Sequence, residues 1–583
     1  MMRARKLNGI DRYSTFGLRD EWMPLIFTHE ERWHERNNLG PVQVKAVGSW
    51  LADAGLIVKE KVTPLFGRIR DLYFMEPVAA WQILWVSMYH GSPIVNLFCD
   101  NVGFDEYLDK KGIMEAIRPD LGDIKDSTVE NPVSALINMF DNSRLGAIVS
   151  MRKRGRSSLV KRIHLDDLDH HVVAYSLYRL AEDIGSREIG LEYLYGDECP
   201  GGPLRLFGTT MESIAVKLQE SPSITLDDGV IHLDDTSSDE ILDSYISSFR
   251  VKIDERPHLG SEDLEFRDRL GELIINEPDK LFGERRDDLE GFLRGSSLRE
   301  LRIGYASTLN PEVSADDFHG RGSDILVALI LRTHEGMPAP TLQGPDNVLM
   351  VFPDASMAAE DYEILLDHMT LALSSDDPEH SDAAGRMVSA WVGDLMASGF
   401  QWYLNGESGR GDRLYGLSEL INSELSRRIF HSGPENLPVI RGNRNLWKTG
   451  NYPKVFEIFF SENLEEFKKK TGSGLLRFIA HILRGPGGDW IVDENLNLLP
   501  DVYHPVKTMM DVTVEKFSRG DFDPVDEMKF LSKPPYGLKG DMIGHAVVSF
   551  ILRALRGHMV KDGRLLEDGE FRVLKERIIE GWD

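Results

Sequence analysis

The chain has 583 residues, 42% of them hydrophobic and 28% charged, and a formal net charge of −28 from 67 Lys and Arg against 95 Asp and Glu. Its length suggests about 3–5 domains of ordinary globular composition. So acidic a chain repels nucleic acid at long range, and any contact with DNA must come from a local basic patch. Cys99 and Cys199 are its two cysteines and form no C-x-x-C spacing. That excludes a cysteine zinc ribbon or an iron–sulfur cluster held within the chain and fits a reducing compartment. The basic N-terminus lacks a following apolar stretch, so it does not read as a secretory signal. Apolar runs such as 325–331 are too short to span a bilayer. A cytoplasmic protein with no membrane partner is expected.

The first 65 residues predict helices followed by a short strand. Gly40 and Pro41 open a helix whose apolar face is Val44, Val47, Leu51 and Ala54. Gly55 stands where a left-handed helix end is expected. Leu56, Ile57 and Val58 then read as a strand leading into charged residues, which is the order of a winged helix, with Gln43, Lys45 and Ser49 facing outward. From Pro77 to Cys99 a very apolar helical segment follows, whose Trp81, Leu84, Trp85 and Met88 belong to the core.

Residues 127–168 repeat the pattern. A helix capped by Ser127 carries Val133, Leu136, Ile137 and Phe140, and two β-prone runs, 145–151 and 158–165, flank a glycine turn at Gly155. This hairpin holds Arg152, Lys153, Arg154, Arg156, Lys161 and Arg162 with no acidic residue among them. In so acidic a chain it is the most informative local feature, because such side chains neutralise phosphates and release counterions. Interleaved aromatics are absent from the run, which disfavours stacking on single strands. Residues 170–234 read as a third copy, with helices at 172–181 and 188–195 and from 209, and an acidic hairpin turning at Asp228-Gly229. Opposite charge on the same architecture suggests that one module reads phosphate and another reads protein.

Further on, 235–298 is polar and helical. Residues 325–331 and 348–352 read as buried strands of an α/β section, and helices are expected at 357–400, 415–430 and 455–485. The glycine-rich stretches Gly406–Gly411 and Thr471–Gly474 read as loops. At the end come Lys533-Pro-Pro-Tyr-Gly-Leu538, an apolar helix from about Gly540 to Arg556, and a hairpin at Asp562-Gly563.

Catalytic motifs are missing. No G-x-x-x-x-G-K-[ST], H-E-x-x-H or G-x-S-x-G is present. His164, Asp166, Asp167, Asp169, His170 and His171 cluster in sequence and are chemically suited to zinc or manganese. They sit where a wing ends and a helix begins, so the acidic members read as caps and helix-dipole partners. Asp354, after the second buried strand, reads as a turn residue. No catalytic residue, metal ligand or cofactor is assigned.

The run Leu39-Gly-Pro-x-Gln-Val-x-x-Val-x-x-Trp-Leu-x-x-Ala-Gly-Leu-Ile57 resembles a recognised type of region, as do Arg70-Asp-Leu-Tyr73, Trp81-x-x-Leu-Trp85 and Ser92-Pro-Ile-Val95. It is similar to the region C-terminal to phosphoadenosine-phosphosulfate-reductase-like proteins, which accompany DNA phosphorothioation systems and one class of BREX phage defence. The resemblance covers about residues 12–245. The reductase-like domain itself is missing, so sulfur transfer does not carry over. Pro534-Pro-Tyr-Gly537 before an apolar helix resembles, more weakly, the tails of P-loop ATPases in the same systems, again without the ATPase core.

The expected fold is mainly α with small β-hairpins (α+β). The expected units are a winged helix with helical extension at 1–125, a basic-wing unit at 126–169 and an acidic-wing unit at 170–245. A helical connector at 246–298, an α/β-to-helical domain at 299–519 and a winged-helix-like unit at 520–583 complete the chain. The resemblance implies a DNA-binding and scaffolding component of a prokaryotic anti-phage defence or DNA-modification complex. Its partners would be double-stranded DNA and a sulfurtransferase-like or ATPase subunit. The expected DNA contacts are Arg152, Lys153, Arg154, Arg156, Lys161, Arg162, Gln43 and Lys45. The alternative is a nucleotide-dependent or nuclease subunit with a non-standard site in 299–355.

Overall fold

Proline sets the helix starts in the first hundred residues. Pro41–Asp53, Pro64–Met75, Pro77–Gly91 and Pro93–Asn101 each begin on proline, whose fixed φ suits the first helical turn and whose missing N–H costs nothing there. The residue before each proline is pushed out of the helical region, so one helix ends where the next starts: only Glu76 separates Met75 from Pro77, and only Ser92 separates Gly91 from Pro93. The Pro77–Gly91 helix is buried on nearly every side and forms the axis around which the helices 41–53, 64–75, 93–101 and His170–Ile184 pack.

In this computed structural model the described residues are 9–35, 39–155, 157–196, 198–250, 256–295, 297, 299, 301–307, 325–331, 348–375, 377–433, 436, 452–471, 480–485, 488–500, 502, 504–519, 523–539, 541–561 and 563–580. The chain is mainly helical with small sheets. One continuous apolar core runs from Ile10 to Phe430 and a second from Val455 to Ile578. Among the described residues no helix is long and apolar enough to cross a membrane.

Three times within residues 41–233 a helix is followed by an antiparallel hairpin. Pro41–Asp53 precedes Ile57–Val58 paired with Lys61–Val62. Asp126–Asp141 precedes Val149–Arg154 paired with Ser157–Arg162, after a short 3-10 turn at Arg144–Ile148 where a strand was expected. Met211–Gln219 precedes Ile224–Asp227 paired with Val230–Leu233. The third hairpin turns on Asp228 and Gly229, both at positive φ, as a two-residue hairpin turn requires. Its outer strand departs from expectation. Glu188–Gly190, expected in a helix, is a strand that pairs Ile189 with Ile231, and only Leu191–Leu194 is helical. Burying Ile189 in a sheet outweighs local helix preference.

The central sheet has five strands. Leu301–Ser307, Ile325–Leu331 and Val348–Pro353 lie parallel in that order, and Phe400–Leu404 and Glu407–Gly411 extend the sheet antiparallel. Its inner strands are apolar on both faces, as parallel strands covered on both sides are. Ile325, Val327, Leu329, Leu349 and Val351 join the main core, and Ala328, Ile330, Met350 and Phe352 form a smaller cluster on the other face. The expected loop at 406–411 is instead a strand. Asn405-Gly406 forms its turn at positive φ, and Gly409 and Gly411 stand opposite Trp402 and Phe400. A Cβ at either glycine would fall inside the facing ring, so the glycines make room for aromatics that cover the strand.

In the second core the helix Tyr452–Phe459 packs on Met542–Ala554, which begins at the Asp541 cap. The hairpin Val560–Lys561/Arg564–Leu565 follows, and then a helix Asp568–Glu580. Of the expected features here, Gly540, Asp562 and residues 472–474 lie outside the described residues.

Candidate nucleic-acid interface

The hairpin 149–162 pairs Val149 with Arg162, Met151 with Val160, Arg152 with Leu159 and Arg154 with Ser157. Gly155 takes the positive φ of the turn. Successive side chains point to opposite faces and paired residues share a face, so the register sorts the cations. Lys153 and Arg162 share the face of Val149, Met151 and Val160. Arg152, Arg154 and Lys161 share the other.

Arg162 is not a phosphate ligand, and the expectation for it is corrected here. It is 3% exposed. Its guanidinium donates to the carbonyls of Cys99 at 2.7 Å and Val102 at 2.8 Å, and to those of Arg205 and Leu206. It also lies over the Phe104 ring at 4.0 Å. Those carbonyls belong to the C-terminal ends of Pro93–Asn101 and Gly202–Phe207, where unpaired C=O groups and the helix dipole favour a cation. Arg162 thus ties two helix ends beneath the hairpin root, and burial holds its pKa below the ordinary arginine range. The same burial pushes the Cys99 thiol up to about 12, so Cys99 stays protonated.

The other cations reach solvent. Lys153 is exposed and meets Asp141 at 3.1 Å. Lys161 is half-buried and meets Asp105 at 3.3 Å, and the same carboxylate faces His164 at 3.2 Å. Arg152 and Arg154 are exposed, and among the described residues neither lies within ion-pair distance of a carboxylate. Arg156 lies outside the described residues.

One residue of this surface was missed in the sequence. Tyr107 comes from the segment 104–108, which runs beside the strand Ser157–Arg162 through the bridge Leu108–Val160. Its hydroxyl meets Ser150 Oγ at 2.8 Å, Arg152 lies 4.3 Å over its ring and Lys161 5.6 Å. A ring under two cations holds them on one face by cation–π attraction. Nothing near Tyr107 in sequence signals this.

Gln43 and Lys45 lie elsewhere, on the helix that packs against Ile10–Tyr13 and Pro77–Gly91. Gln43 Oε1 accepts the Gly40 N–H at 2.9 Å and so serves that helix's start. Lys45 is exposed.

Of the acidic cluster after the hairpin, Asp169 caps a helix and Asp166 holds the cap residue of another, Thr210. Asp169 accepts the His171 N–H at 2.7 Å, and Asp166 accepts the Thr210 N–H at 2.7 Å. Asp354 ends its strand in an ion pair with Arg410 at 2.5 Å.

No family model and no curated protein matches the chain. Among solved structures, one titled "Magnesium ion-bound SspB crystal structure" is similar at 14% identity over 42% of this chain and 89% of that one, with a TM-score of 0.34, too low to carry an argument.

Proposed function

We propose that the outer face of the hairpin 149–162 binds the phosphate backbone of duplex DNA. On this reading the chain is a DNA-binding and scaffolding component of a prokaryotic anti-phage defence or DNA-modification complex, of the BREX or phosphorothioation type. One observation carries the proposal: in a chain of net charge −28, Arg152, Arg154 and Lys161 share one exposed strand face around Tyr107. Among the described residues Arg152 and Arg154 have no carboxylate to give up. Lys161 does, but exposed ion pairs are worth about 0–1 kcal/mol, so phosphate can replace its carboxylate. The acidic residues elsewhere keep DNA off the remaining surface and favour a protein partner there, a sulfurtransferase-like or ATPase subunit. The repeated order of helix and hairpin is compatible with tandem winged helices, in which a wing lies along the backbone.

The test is fluorescence anisotropy with a labelled duplex. The Arg152→Ala/Arg154→Ala variant should lose most of the affinity while melting like the parent, because exposed substitutions cost within about 0.5 kcal/mol. Parent-like binding by that variant would overturn the proposal.

A further inference from the structure

We propose that Asp169, His170 and His171 bind one divalent transition-metal ion of the zinc class. Asp169 caps the helix His170–Ile184, and Glu220 ends the helix Met211–Gln219. The two segments are pinned together by Asp166, which takes the Thr210 N–H on its carboxylate and the Ser213 hydroxyl on its backbone carbonyl at 2.5 Å.

The donor atoms converge. One ligand atom each from Asp169, His170 and His171 lies within 4.8 Å of the others. His171 Nδ1 is 3.0 Å and His170 Nδ1 3.9 Å from the same Asp169 oxygen, and Glu220 Oε2 is 3.4 Å from His170 Nδ1. A tetrahedral ion with bonds of about 2.0–2.1 Å places its ligands about 3.3 Å apart, and these separations bracket that value. The rings are held in place: His171 stacks on Tyr245 at 4.4 Å, and the His170 ring lies 3.9 Å from it, tilted by 37°. Both imidazoles remain reachable from solvent, with side chains 24% and 13% exposed.

Metal binding needs neutral imidazoles and an ionised carboxylate. Burial and the neighbouring His171 hold His170 below its ordinary pKa. Burial, the largest single effect, acts to raise Asp169, but the side-chain and backbone hydrogen bonds from His171 and the two neighbouring imidazoles together outweigh it and keep that carboxyl below its usual range. Helix capping explains the Asp169–His171 contact; it gives no reason for His170 Nδ1 to face carboxylates from two segments. Two imidazoles with carboxylates suit zinc or cobalt over magnesium or calcium, which prefer all-oxygen shells.

The experiment uses the full chain stripped with a chelator and titrated with Zn²⁺ by calorimetry and with Co²⁺ by visible absorption. One ion per chain at micromolar affinity or tighter, with an absorption band of nitrogen and oxygen coordination, is the expected result. His170→Ala and His171→Ala should each weaken binding at least tenfold. His232→Ala, at an imidazole facing Glu188 at 3.6 Å, should bind as the parent does. Melting curves in chelator establish that each variant is folded before titration. Absence of a one-to-one isotherm in the parent overturns the proposal whatever the variants do, and so does undiminished binding by the folded His170→Ala/His171→Ala double variant.

Discussion

Replacing Arg162 with Met should destabilise the first core while leaving the DNA surface as it is. Met keeps much of the apolar stem, so packing changes little, and it removes the cost of burying a charge. It also strips the hydrogen-bond partner from the carbonyls of Cys99, Val102, Arg205 and Leu206. Each buried acceptor left unpaired costs about 1–3 kcal/mol, and breaking a buried charged contact by removing one partner costs about 3–5 kcal/mol in all. Relief of desolvation does not offset several orphaned carbonyls, so a net loss of about 3–5 kcal/mol is expected. An unfolding entropy of about 2 cal/mol/K per residue over a core of roughly 400 residues turns this into a melting shift of about 4–6 °C. Scanning calorimetry and urea titration read the change. Arg154→Ala, at an exposed cation on the same hairpin, should shift stability by less than about 0.5 kcal/mol. An Arg162→Met protein that melts with the parent, or that loses DNA affinity while keeping its stability, would refute the structural role.

Three further outcomes follow from the packing. Gly17→Ala should cost about 1–3 kcal/mol or more, measured by denaturant titration, because the new Cβ would overlap the Ala135 carbonyl and the Met139 backbone, neither of which rotates away. Asp20→Ala should cost about 2–4 kcal/mol in the same assay, since the carboxylate accepts from Trp81 Nε1 at 2.7 Å, the Tyr73 hydroxyl at 3.1 Å and Arg144 Nε at 3.2 Å, and two of those donors are buried. The second core should lose stability as pH falls from about 6.5 to about 4. Burial holds His504 down to about 4 and His545 to about 3, so the unfolded chain takes up protons in that window and the folded one does not. Asp541, pushed up to about 6 by its own burial, works the other way between about 4 and 6, one carboxyl against two imidazoles. A core signal whose melting temperature stays flat over that range would contradict the burial of the two histidines.

Local pattern carried the elements, and tertiary contact decided the roles. Apolar spacing and the Gly40-Pro41 start place the helix at 41–53, and Gly155 and Asp228-Gly229 place two hairpins, because those signals act within a few residues. The division of the basic run into two faces was also legible: strand alternation alone puts Arg152 and Arg154 on one side and Lys153 on the other. Which side is buried was not legible. Arg162 is taken inward by carbonyls 43–63 residues away, and Tyr107 reaches the outer face from a separate segment. The strand at 407–411 carried a readable signal, Asn405-Gly406, which the neighbouring glycines concealed. Gly409 and Gly411 make sense only once the rings of Trp402 and Phe400 are opposite them.

The salt dependence of duplex binding tests the central claim most directly. Arg152, Arg154 and Lys161 are the described cations of the hairpin's outer face, Lys153 reaching solvent from the other, and each phosphate neutralised contributes about −0.9 to the slope of log K against log salt. A slope between about −2 and −4 is predicted for the parent, reduced by nearly 2 in the Arg152→Ala/Arg154→Ala variant. A slope near zero, or one that the double substitution leaves unchanged, would contradict the assignment of this hairpin as the phosphate-binding surface.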